Sequence, residues 1–291
     1  AQALPGYLSF TQTYDAASGA ANAYTPVTIF STLAWGLGYF GMPHILLRFM
    51  AIEDVKKLKT SRRIASTWVV ISMAIAVLIG VVGNGMIHAG ALESIPAADS
   101  QRIIIKISTL LSNYGVLPAI VAGLILSGIL AATMSTADSQ LLAAASSVTQ
   151  DLLQGTFKLK LSNKAAMVIA RLTVIVIAII GVIWARNEGS VFTIVSFAWA
   201  GFGAAFGPVV LLALFWKRSN KYGALAGMIA GGVMVFVWKY CIAPIGGILN
   251  IYELLPAFVI AIIVNVVVSL ATKAPEAEVV KEYDEVAAMK D

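Results

Sequence analysis

The sequence predicts an all-α integral membrane protein, on three observations. Hydrophobic residues make up 59% of the 291-residue chain and charged residues 12%, and the mean hydropathy is +0.87. A water-soluble core of this length does not call for so much apolar surface. The apolar residues also fall into runs of about 20, the length a helix needs to cross the hydrocarbon of a bilayer. Seven such segments are expected, at 27–48, 65–88, 115–136, 165–185, 191–216, 223–243 and 253–271. Finally, the basic residues gather in alternate connections. Arg48, Lys56, Lys57, Lys59, Arg62 and Arg63 share one loop, and Lys158, Lys160, Lys164 and Arg171 the next on that side. Lys217, Arg218 and Lys221, then Lys273, Lys281 and Lys290, continue the series, while Arg102, Lys106, Arg186 and Lys239 fall on the opposite side. The positive-inside rule therefore predicts a cytoplasmic carboxy terminus and an amino terminus outside. The net charge of +5 expresses topology, and no nucleic-acid partner is expected.

The first segment is the most informative. Across the about 23 residues from Pro26 to Arg48 it carries Gly36, Gly38 and Gly41 followed by Pro43. Glycine costs helix stability, and proline lacks an N–H and crowds the carbonyl four residues back. Backbone groups freed in this way survive at membrane depth only where protein or a watery cavity satisfies them. Broken spanning helices mark the substrate and ion sites of many secondary transporters. Trp35 and Tyr39, four residues apart on one face, sit at the break.

The other elements follow in order. Residues 1–25 are polar and rich in Tyr, Ala and Ser; they do not read as a signal peptide, and the chain is expected to begin inside an extracytoplasmic loop. Residues 101–112 are too short to cross and predict an interfacial or re-entrant amphipathic helix. Residues 138–157 either continue the third span or form a cytoplasmic helix. Gly223, Gly227 and Gly231, and again Gly203 and Gly207, have the spacing of close helix packing. Asn265 is expected to bond within the bundle, Lys239 to anchor at the outer interface, Cys241 to pack, and His44 to bond a carbonyl freed by the break. Asp138 reads as a solvated helix end or a cation-attracting charge, and Arg171 snorkels or pairs with a carboxylate outside this sequence. The tail at 273–291 is expected to be solvated or partly helical.

Catalysis has no visible constellation. The two histidines, His44 and His88, have no sequence-near carboxylate or thiol, and the single cysteine excludes an internal disulfide. No span holds a central Asp or Glu, which argues against a proton relay built by this chain alone. Ser135 and Thr136, near the end of the third span, supply neutral hard oxygens suited to a weakly held alkali cation, and the Ala132 carbonyl points toward the same turn. Hydroxyls in spans also bond to their own helix backbone, and on the pattern alone both readings stand.

Three stretches together resemble the sodium/solute symporter family, and within it the bacterial sodium/proline branch: WGLGYFGMPHILLRFM at 35–50, ILAATMSTADSQLL at 129–142, and SFAWAGFGAAFGPVVL at 196–211 with ALFWKRSNKYGALAGMIAGG at 213–232. In the last, Arg218 is followed by Gly223-Ala224 and Gly227 at the family's signature spacing. The resemblance covers about residues 25–272. It implies a LeuT-type fold of two inverted five-helix repeats, each opening with a broken helix, and it places the second repeat at 26–216, two peripheral helices at 217–272 and a cytoplasmic tail at 273–291. The first repeat lies outside this sequence. It further implies that Ser135, Thr136 and the Ala132 carbonyl hold sodium, and that Trp35, Tyr39 and Pro43 line the substrate site. The expected activity is sodium-coupled symport of L-proline across a bacterial inner membrane, with Na+ as coupling ion, no enzyme cofactor and no enzymatic activity. Symport of another small carboxylate such as pantothenate or acetate, a symporter-like sensor domain, and a subunit that only packs are the alternatives. Oligomeric state is not legible.

Overall fold

The computed structural model describes residues 6, 9–15, 20–186 and 190–288. Among them it is almost entirely helical, and the chain divides into two compact units, 52–190 and 2–51 with 191–291.

The second unit opens with an antiparallel hairpin of β1 (Gln12–Asp15) and β2 (Ala20–Ala23), paired from Gln12 opposite Ala23 to Asp15 opposite Ala20. The polar composition of residues 1–25 gave no sign of it. Thr25 then caps helix α1 (Pro26–Gly38): its hydroxyl accepts from the Thr28 N–H at 3.2 Å, and Pro26, with no N–H to leave unbonded, occupies the first turn. The predicted break is present. A single tight turn at Tyr39–Gly41 is followed by extended Met42 and then by α2 (Pro43–Met50). Met42 is extended because it precedes proline, whose ring disfavours helical backbone in the residue before it. Pro43 therefore starts a helix; it does not kink one. With 13 and 8 residues, each half measures roughly 20 Å or less, short of the about 30 Å of hydrocarbon.

Among the described residues six helices are long and apolar enough to cross a membrane: α3 (Lys57–His88), α5 (Val116–Ser146) with its extension, α6 (Asn163–Ala185), α7 (Val191–Phe215), α8 (Lys221–Val237) with its extension, and α9 (Leu254–Ala271). The basic loop after α2 is shorter than expected, because α3 already begins at Lys57. The third span continues beyond its apolar stretch, passing from α5 into a widened π-helical segment, Ser147–Thr156. Together these run 41 residues, roughly 60 Å and so twice the hydrocarbon thickness. Asp138 consequently lies inside a helix, not at a solvated helix end. In this first unit α4 (Ile103–Ser112) is the expected short helix, and Gly83 of α3 abuts Ile103 at its start.

The core of the second unit lies where α7, α8 and α9 meet, with Ala200, Ala204, Val235, Leu254, Ala257 and Phe258 buried. Both predicted glycine faces pack closely. A Cβ on Gly227 would come within 2.8 Å of the Asn265 Cβ and 3.0 Å of the Ala261 carbonyl oxygen. One amide ties the ends of α8 and α9 together. Asn220 accepts from the Gly223 N–H at 2.9 Å, capping α8, while its Nδ2 donates to Ser269 O, Thr272 Oγ1 and Lys273 O at 3.2, 2.9 and 2.8 Å. Asn265 is fully buried and its Oδ1 accepts from Ser269 Oγ at 3.2 Å, a bond within the bundle. The tail is helical as α10 (Ala277–Ala288), held by Lys217–Asp284 and Lys221–Glu276 ion pairs at 2.6 and 3.5 Å. Two expectations fail. Cys241 is exposed, not packed. His44 makes no hydrogen bond to a freed carbonyl among the described residues.

Gly227→Leu forces side-chain atoms into the α8–α9 contact, at a cost of about 1–3 kcal/mol. The purified protein should then unfold on the order of 5 °C lower. Gly232→Leu, at a position with nothing within 4 Å of an added Cβ, should leave the thermal transition in place.

Candidate functional site

The predicted substrate residues lie in the second unit, around the break after α1. Freeing backbone groups there requires partners, and the sequence reading did not identify the decisive one. The Tyr39 N–H turns to Leu37 O and not to Trp35 O. Trp35 O instead accepts the Trp199 indole N–H from α7 at 3.1 Å. The indole fits because residue 38 is glycine: a Cβ there would overlap the Trp199 ring. The same logic extends along α7. A Cβ on Gly41 would come within 2.5 Å of Phe202 O, and one on Gly203 within 2.8 Å of the Gly38 Cα. Backbone meets backbone over two turns, and only glycine permits that approach.

Trp199 also organises the aromatic side chains. Trp35 stacks between Trp199 and Phe192, with centroids 5.7 and 5.3 Å away, and against Tyr252 at 6.0 Å. Tyr39 meets Trp199 edge-on at 4.8 Å. The two predicted aromatics thus share one platform in different ways. Trp35 is half-buried in it, whereas Tyr39 remains 56% exposed. Pro43 is half-buried at the start of α2.

Tyr252, in the connection between α8 and α9, locks the platform from above. Its backbone N–H donates to Ser31 Oγ at 2.9 Å and its hydroxyl to Ser196 O at 2.6 Å. Burial first, and then the adjacent Glu253 carboxylate, push its phenol well above the usual tyrosine range, so the hydroxyl stays a donor. Lys239 is more than an interfacial anchor. It pairs with Glu253 at 3.4 Å and lies 4.1 Å from the Phe197 ring centroid.

The predicted ion ligands lie in the first unit, inside α5. Thr136 Oγ1 donates to Ala132 O at 3.3 Å, and Ser139 Oγ donates to Ser135 O at 2.9 Å. Ala132, Ser135 and Thr136 are all exposed, and the Ser135 hydroxyl has no hydrogen-bond partner among the described residues. Backbone bonding, one of the two readings open to Thr136, is therefore present. It also sets two oxygens, one hydroxyl and one carbonyl, side by side at the surface of the helix.

A sodium:solute symporter family model matches residues 6–231. The chain belongs to this family. The symporter match contains the broken helix, the α5 hydroxyls and Trp199, and it ends within α8. Among curated proteins, the chain is 43% identical over 250 residues to the osmoregulated proline transporter OpuE of Bacillus subtilis. That alignment covers 86% of this chain and 49% of the relative. It is 42% identical over 262 residues to the sodium/proline symporter of Haemophilus influenzae (89% and 51%) and 42% identical over 265 residues to that of Escherichia coli (89% and 50%). The chain spans about half the length of the curated relatives it matches. No solved structure gives a significant match.

For this family member, Trp199→Phe keeps the ring stack but removes the N–H bonded to Trp35 O. Leaving that carbonyl unbonded costs about 1–3 kcal/mol. A thermal unfolding midpoint equal to that of the wild type would remove Trp199 from this role.

Proposed function

We propose that this chain forms part of a symporter that carries L-proline into the cell with sodium, and that it supplies the C-terminal part of the whole transporter. The observation that carries the reading is the conjunction of family membership with 41–43% identity, over 86% or more of the chain, to relatives named as proline transporters and sodium/proline symporters. On this reading the fold is LeuT-type. Helices α1 and α2 form the broken opening helix of the second inverted repeat, followed by α3, α5, α6 and α7. Helices α8 and α9 are peripheral, which gives seven crossings when the broken segment is counted. The positive-inside distribution places residues 1–25 outside and the tail in the cytoplasm of a bacterial inner membrane.

Sodium binds Ser135 Oγ, Thr136 Oγ1 and the Ala132 carbonyl. The last two already stand 3.3 Å apart, so the hydroxyl turns its hydrogen away and the ion bridges the two oxygens, which keep their positions. Hard neutral oxygens hold an alkali cation weakly enough to release it, as transport requires. Proline lies against the aromatic platform with its pyrrolidine ring on Tyr39 and Trp35, near Pro43, and with its polar end toward backbone groups freed at the break. Coupling is the difference in sodium affinity between the conformational states, and reciprocity requires substrate to tighten sodium by the same factor.

Three measurements test this on the full-length protein in proteoliposomes. Labelled proline should accumulate only with an inward sodium gradient; its absence in a folded preparation would reject proline as the substrate. Thr136→Ala should raise the half-saturating sodium concentration at least about tenfold, and an unchanged sodium dependence would remove the ion site. Tyr39→Ala, at an exposed position that spares the fold, should raise the proline concentration for half-maximal uptake at least about tenfold without shifting the thermal transition.

A further inference from the structure

At the end of the second unit away from the aromatic platform, the structure has an open cleft of about 600 Å³, well within the range of small-ligand sites. Its walls are of two kinds. One is the last turns of α7, with Val209, Ala213 and Leu214, and Trp216 just beyond; the other is α10, whose Val279, Tyr283, Val286 and Ala287 recur at the spacing of a single apolar helix face. Two apolar faces therefore look at each other across open space, and the ion pairs from Lys217 and Lys221 hold α10 at that distance. Charges of both signs also line the cavity. Lys273 and Glu282 contribute to the lining, and neither makes an ion pair among the described residues.

The position identifies the occupant. The spanning helices α7, α8 and α9 end or begin at Phe215, Lys221 and Ala271, so the cavity lies at the level where hydrocarbon gives way to headgroups. Trp216, Tyr222 and Tyr283 in its lining are aromatic side chains with polar tips, the residues that favour that level. Helix α10, amphipathic and 12 residues long, is built to lie in the interface plane. We propose that this cavity is a binding site for a zwitterionic aminophospholipid. An acyl chain lies between Leu214 and Val286, the phosphodiester meets Lys273, and the headgroup ammonium meets Glu282. An anionic glycerol headgroup brings no cation to Glu282, and a choline headgroup brings no N–H to donate to it. The two ion pairs that position α10 are exposed and individually weak, so the helix adjusts to the lipid without unfolding.

The test uses the full-length protein in nanodiscs containing a phosphatidylethanolamine with a photo-reactive acyl chain, and the adducts are mapped by peptide mass spectrometry. Adducts should concentrate on 209–216 and 279–287, at least fivefold above the other helices. Ala213→Trp, or separately Val286→Trp, fills the space and should reduce them at least fivefold with no change in the thermal transition. Labelling should be at least threefold stronger with the ethanolamine lipid than with its choline or glycerol counterparts, and Glu282→Gln should abolish that preference. Adducts spread evenly along all apolar helices, or unchanged in both filled variants, would overturn the site. Equal labelling by the three headgroups, or a preference that survives Glu282→Gln, would overturn the headgroup assignment.

Discussion

A backbone N–H or C=O in hydrocarbon must be bonded by protein, and the second unit is arranged around one place where a helix cannot do this for itself. The turn at Tyr39–Gly41 and extended Met42 interrupt the ladder, and the Trp199 indole takes over the Trp35 carbonyl. That single bond needs α7 at backbone distance from α1. The distance in turn needs Gly38, Gly41 and Gly203, each of which would collide with its neighbour if it carried a Cβ. The glycines thus have two effects in one place. They weaken the helix enough to open it, and they leave the space in which a side chain from another helix closes the exposed bond. Tyr252 completes the arrangement by donating to both α1 and α7, so both helices at the break are braced.

The two units differ in how they solve association in an apolar medium, where lipid competes equally for every Leu or Ile and contacts come from small residues and polar bonds. In the second unit both devices are present, glycine faces between α8 and α9 and the Asn220 amide across their ends. In the first unit, only 6% of the most apolar stretch of α5 is buried. One row of α5 nevertheless consists of small residues four apart, Gly123, Ser127, Ala131 and Ser135, and all of them are exposed. Such a row lets the backbone of another helix approach closely. A cation held by Ser135 and Thr136 gains its remaining ligands from just that kind of approach, which connects the proposed ion site to a packing surface.

The parts of the fold that hydropathy controls were legible in the sequence: the long spans, the short α4 and the break before Pro43, because length, glycine and proline act locally. Features that depend on long-range partners were not. Trp199 stands within a family motif, yet nothing near residue 199 records that a carbonyl at residue 35 needs a donor. Asn220 finds three acceptors only at the end of α9, about 50 residues away in sequence. For 138–157 the structure takes the continuing third span, and Asp138, a charge that would usually end an apolar run, lies inside a helix that runs on to Ser146 and beyond. The hairpin at 12–23 carries no alternating apolar pattern to announce it.

The hydroxyl pair shows how a structural bond and a functional role can share the same atoms. Thr136 bonds to the carbonyl four residues back, as threonine does in many helices, and on sequence alone that competes with ion binding. In three dimensions the bond brings together the two oxygens an ion would bridge, on an exposed face beside the Ser135 hydroxyl. The aromatic pair divides its roles in the opposite way. Trp35 is committed to packing on three rings, and its truncation would disturb the brace as well as any ligand. Tyr39 touches Trp199 only at its edge and keeps more than half its surface open. On the proposed reading, specificity for a small apolar ring therefore rests more on Tyr39 than on Trp35, while Trp35 keeps the platform in place.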